Sequence, residues 1–134
     1  MPTANPLAPP LIQAKQTVTW QNLYGSSNTL ALANLATASQ KPMLIITPDS
    51  LTANRLHDEL SFFYQPTTEK PIISFPDWET LPYDQFSPHQ DIVSERLSAL
   101  YRIPHLQQGA IIVPVSTLMQ RLPPRSYLDG ILFY

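Results

Sequence analysis

Met43-Leu44-Ile45-Ile46-Thr47-Pro48-Asp49-Ser50 is a continuous apolar run that breaks at proline and passes into a helix-capping pair. Unbroken runs of this kind suit a parallel strand covered on both faces, whereas a half-exposed strand would alternate. Asp49 or Ser50 can cap a helix that begins immediately afterwards. Leu56, Leu60 and Phe63 then recur at helical spacing, with His57, Asp58 and Glu59 facing away. A strand that feeds directly into a helix is half of a βαβ unit.

The same alternation repeats on either side. Downstream, Ile72–Phe75 predicts a strand, Ser87-Pro88-His89-Gln90 the capped start of a helix, and Ala110–Val113 another apolar strand after Gly109. Ile92, Leu97, Leu100 and Ile103 mark the apolar face of that helix, and a short helix is expected from Ser116 to about Leu122. Upstream, Thr17–Leu23 is rich in β-formers and predicts a strand. Gly25-Ser26-Ser27-Asn28 reads as a turn and cap, and Thr29–Ala38 as a buried Leu/Ala helix. Strands alternating with helices predict a three-layer α/β fold around a parallel sheet, with right-handed crossovers placing helices on both faces. Residues 1–16 read as a flexible leader, 17–128 as the domain, and 129–134 as the start of a following strand cut short.

Composition agrees with one compact unit. The chain has 134 residues, 43% of them apolar, enough for one sizeable core. Its 15 prolines fall mainly between apolar runs, as punctuation at element ends. With no cysteine, disulfides, thiolate metal sites and thiol catalysis are excluded, and a cytoplasmic location is expected. No apolar stretch approaches the ~20 residues of a membrane helix. The net charge of −2 and the scattered lysines and arginines argue against autonomous DNA binding.

The order strand, turn at Gly25, helix is that of a phosphate loop. Such loops read G-x-x-x-x-G-K-[ST], because the glycines let backbone N–H groups close on phosphate, lysine neutralises it and the hydroxyl holds magnesium. Counted from Gly25, those three positions hold Leu30, Ala31 and Leu32. All three requirements fail together, so no nucleotide, magnesium or other cofactor is expected. No strand runs into an Asp-Glu pair, and three isolated glycines cannot supply a dinucleotide fingerprint. His57, His89 and His105 lack metal-ligand spacing. Asp58 and Glu59 read as a solvated helix face, Glu95 and Arg96 as surface charges, and Ser116 as a helix cap. No catalytic residue or metal ligand is assigned. An enzyme domain binding a nucleotide or small molecule through an unorthodox loop is the alternative reading.

One segment is unlike an ordinary loop. Phe75–Phe86 carries four aromatics and three carboxylates in twelve residues, punctuated by proline. It reads either as a rigid loop pinned down by its rings or as an exposed docking site for protein, with Trp78, Glu79, Tyr83 and Asp84 as the candidate interface. Its carboxylates disfavour contact with a nucleic-acid backbone.

Trp78-Glu79-Thr80-Leu81-Pro82-Tyr83-Asp84 and Ser87-Pro88-His89-Gln90-Asp91-Ile92, within the run Trp78–Leu122, resemble the N-terminal region of the bacterial transcription-repair coupling factor family (Mfd). Thr47–Leu60 resembles the matching strand–helix unit. The resemblance implies a degenerate phosphate-loop fold like the first domain (1a) of the excision-repair protein UvrB, related to RecA-like folds. It further implies a parent protein whose separate motor domains use ATP and magnesium to translocate on DNA and displace stalled RNA polymerase. This region would then be a non-catalytic scaffold in the module that recruits UvrA, mainly through the following domain, with the rest of the parent chain as its immediate partner.

Overall fold

The computed structural model describes residues 5–10, 12–75, 90–120, 122 and 124–126, with the backbone alone for 90–93. Its elements are helix α1 (Ser27–Ala38), strand β1 (Met43–Thr47), helix α2 (Ser50–Tyr64), strand β2 (Ile72–Ser74) and helix α3 (Gln90–Arg102). A 3-10 turn (Ile103–His105), strand β3 (Ala110–Pro114) and helix α4 (Val115–Leu118) complete them. The strands form one parallel sheet in the order β1-β3-β2.

The βαβ reading holds where hydrophobic period and punctuation agree. Asp49 caps α2 by accepting the Thr52 N–H at 2.7 Å, so the predicted capping pair works as such. That helix ends at Gln65 in the left-handed region (φ 52°), with Pro66 next in sequence to prevent its continuation. Strand β3, the central one, is buried along its whole length, as its unbroken apolar run requires. Gly109 leads into it at φ +122°, and its carbonyl accepts the Met43 N–H at 2.9 Å. A Cβ at this glycine would lie 2.4 Å from the Pro71 carbonyl oxygen, so both the dihedral and the space demand glycine.

Alternation along the strands separates two cores. Ile45, Ala110 and Ile112 face α1 and α2, where they pack with Ala33, Ala36, Ala53, Leu56, Leu60 and Tyr64. Ile73, Ile111 and Val113 face the other way and pack with Phe75, Ala99, Leu100 and Ile103. Helices therefore cover both faces, giving the expected three layers. Alanines at the α1 contact allow close approach, and Leu60, fully buried, is a large side chain of the first core. Full burial of one such leucine stabilises by about 1.5–3 kcal/mol.

Two predicted elements differ. Thr17–Leu23 forms no strand of the sheet: Gln21 is an isolated bridge residue within otherwise irregular backbone. Lys15, Asn22 and Gly25 take positive φ (62°, 61° and 60°), and such turns cannot sit in an extended strand. The expected helix from Ser116 is shorter and starts one residue earlier, at Val115, with Pro114 as its N-cap. Ser116 thus lies inside the helix and is not its cap.

Candidate functional site: the turn into the first helix

The turn at Gly25 is where sequence reasoning placed the remnant of a phosphate loop. A working loop keeps its backbone open so that several N–H groups converge on an anion. Here the backbone winds into α1 already at Ser27, two residues after Gly25. The early amides are consumed internally: Ser27 N–H by the Tyr24 carbonyl at 3.1 Å, Leu30 N–H by the Ser26 carbonyl at 3.0 Å, and Thr29 N–H by Asn28 Oδ1 at 2.8 Å. What would be a cradle is the first turn of a helix.

The three diagnostic positions follow the helix into the interior. Ala31 is fully buried, Leu32 packs against the first core, and Leu30 is half-buried. A lysine at position 31 would project into packed protein and not towards a ligand. The residues present therefore do not fit a nucleotide triphosphate with magnesium at this turn.

Two charged residues behave differently from their sequence readings. Glu59 is half-buried and not on a solvated face: it accepts hydrogen bonds from the hydroxyls of Ser26 and Thr29, at 3.2 and 2.6 Å. Asp58 is exposed as expected, with His57 Nδ1 at 3.6 Å. Arg96 is 2% exposed and not a surface charge. Its guanidinium lies 4.6 Å from the centroid of the Phe75 ring and donates to Gln120 Oε1 at 3.1 Å. Favourable cation–π geometry and a bidentate-capable donor set explain how an arginine is retained in that layer. It stands three residues before the buried Ala99 of α3, a spacing that puts the two on one helix face and that could have signalled its burial. Glu95, its neighbour, is exposed.

A second feature was not legible in the sequence. Leu44 and Ile46 of β1 point to the α3 side of the sheet and are 56% and 52% exposed. Leu44 lines an apolar groove with Phe75, Val113, Leu118 and Leu122. The aromatic candidates Trp78, Glu79, Tyr83 and Asp84 lie outside the described residues, as do His89 and the predicted cap at Ser87-Pro88. Among the described residues no group of three or more potential ligands is placed to hold a metal ion, and no helix is long and apolar enough to cross a membrane.

These features define a class: a three-layer parallel α/β unit in which the turn into the first helix is closed by helical winding. No protein-family model matches the chain. Among curated proteins it is 50% identical over 108 residues to the transcription-repair-coupling factor of Escherichia coli (strain K12), covering 81% of this chain and 9% of that protein. It is 43% identical to the coupling factor of Haemophilus influenzae (strain ATCC 51907 / DSM 11121 / KW20 / Rd), with the same coverage of 81% and 9%. For that of Myxococcus xanthus the identity is 35%, over 90% of this chain and 10% of the relative. The chain belongs to the transcription-repair coupling factor family, matches its N-terminal region, and spans about a tenth of the length of these relatives.

Proposed function

We propose that this chain is a non-catalytic scaffold: the front part of the UvrB-like module through which a transcription-repair coupling factor recruits UvrA to RNA polymerase stalled at a DNA lesion. The observation that carries the reading is the winding of Ser27–Leu30 into α1, with Ala31 buried where a phosphate-loop lysine would stand. In this reading, residues 17–128 form the folding unit. ATP, magnesium and DNA belong to motor domains elsewhere in the parent, which would act in the cytoplasm. UvrA contact falls mainly to the following domain. The apolar groove beside Leu44, open among the described residues, supports a role in packing against further polypeptide of the parent.

Calorimetric titration of the chain with ATP and magnesium tests the central claim. The expected result is no saturable heat. Binding tighter than roughly millimolar, or about −4 kcal/mol, would show that the turn retains a ligand. For recruitment, UvrA pull-down with the full-length coupling factor should weaken when Leu44 and Ile46 are both changed to Asp, and undiminished capture would remove the packing role.

A further inference from the structure

We propose that Glu59 supplies the opening turn of α1 with an anion from within the chain, holding the place that a phosphate takes in a working loop and fastening α1 to α2. The proposal deepens the scaffold reading and rests on it in one respect, namely that the turn has no external ligand.

Four observations converge on this carboxylate. First, α1 carries no charged residue at all, so nothing on the helix itself answers the partial positive charge of its N-terminus. Second, Ser26 stands at the N-cap yet makes no side-chain bond to the helix backbone, and its hydroxyl donates instead to Glu59 Oε1 at 3.2 Å. Third, Thr29, three residues on and on the same face, is fully buried, and its hydroxyl lies 2.6 Å from Glu59 Oε2. Asn28 Oδ1 lies farther from that hydroxyl, at 3.3 Å, and with a single proton to give Thr29 donates to the closer carboxylate. Fourth, among the described residues no lysine or arginine is paired with Glu59, and the neighbouring His57 lies beside Asp58.

Both oxygens of one carboxylate are thus held by hydroxyls on one face of one helix turn, 30 and 33 residues away in sequence. Hydrogen bonds with an ionised acceptor are shorter and stronger than neutral ones, which suits the 2.6 Å distance. Without Glu59 the buried threonine hydroxyl would keep only the longer contact to Asn28 Oδ1, a poorer acceptor for a group out of water. The arrangement also explains how the turn can carry Leu30 and Ala31 at the second-glycine and lysine positions without leaving a helix end bare. An anion that arrives covalently tethered needs neither a wide cradle nor a counter-charge.

The test is thermal melting of the 134-residue chain and its variants in phosphate and in chloride of equal ionic strength. Glu59→Ala and the near-isosteric Glu59→Gln should both melt below wild type, with the glutamine variant losing at least half of what the alanine variant loses. Phosphate should raise the melting temperature of Glu59→Ala relative to chloride and leave wild type and the exposed control Asp58→Ala unmoved. Thr29→Val combined with Glu59→Ala should cost less than the sum of the two single changes. The inference is overturned if Glu59→Gln melts like wild type, if phosphate does not distinguish Glu59→Ala from the control, or if the double variant is additive. ATP binding by the wild type would refute the scaffold reading while leaving the Thr29–Glu59 coupling measurable, so the two failures are separable.

Discussion

Restoring the lost motif should destroy the domain before it restores a ligand. The variant is Leu30→Gly, Ala31→Lys, Leu32→Ser, which rebuilds G-x-x-x-x-G-K-S from Gly25. Ala31 has no exposed surface, so the lysine stem must enter packed protein. Overpacking of a well-filled core costs about 1–3 kcal/mol. Removing the ammonium from water without a partner costs several kcal/mol more. Leu32 packs on the first core, so its polar replacement adds a further loss, and glycine at position 30 costs about 1 kcal/mol in helix propensity. The sum approaches or exceeds the roughly 5–15 kcal/mol that holds a domain of this size together. Urea unfolding followed by far-ultraviolet circular dichroism should find the triple variant unfolded or nearly so, with Ala31→Lys alone responsible for most of the change. Calorimetry should detect no ATP binding in either. A triple variant that unfolds at the wild-type midpoint and binds ATP would mean that α1 can unwind into a working loop, and the argument from burial would fail.

Two further outcomes follow from single residues. Gly109→Ala brings a Cβ to 2.4 Å from the Pro71 carbonyl oxygen and forces alanine to φ +122°. Strain and overpacking of about 1–3 kcal/mol each should add, and a denaturation midpoint equal to wild type would contradict the close approach of the two strand starts. Asp49→Ala should lower the melting temperature at neutral pH through loss of the α2 cap. Hydrogen bonds from Thr52, with the Arg55 charge adding less, hold the Asp49 carboxyl below its ordinary 3.8. A depressed value makes its stabilisation complete above the unfolded-state pKa and lost as pH falls through the folded one. The gap between wild type and variant should therefore narrow on acidification below about pH 4, and a gap that widens there would refute the assignment.

Local chemistry along the chain was enough for the α/β alternation. Met43–Thr47 and Ala110–Val113 are apolar runs that read as strands and form them, Asp49 caps where it stands, and the failure of Leu30, Ala31 and Leu32 as phosphate ligands is a matter of side-chain type. These depend on neighbours within a few residues, which a sequence displays. Thr17–Leu23 shows the limit: β-forming residues become a strand only if a neighbour offers a free edge and the flanking dihedrals permit extension, and Asn22 and Gly25 at positive φ do not. The fates of Glu59 and Arg96 were likewise decided in three dimensions. Whether a charge faces water depends on what the opposing layer brings within hydrogen-bond reach. For Glu59 that is a pair of hydroxyls from a helix far away in sequence, and for Arg96 a ring from β2's end and a glutamine beyond α4. The exposure of Leu44 and Ile46 is tertiary for the same reason: their run reads as a strand buried on both faces, and whether both are covered depends on what the neighbouring layer brings over β1.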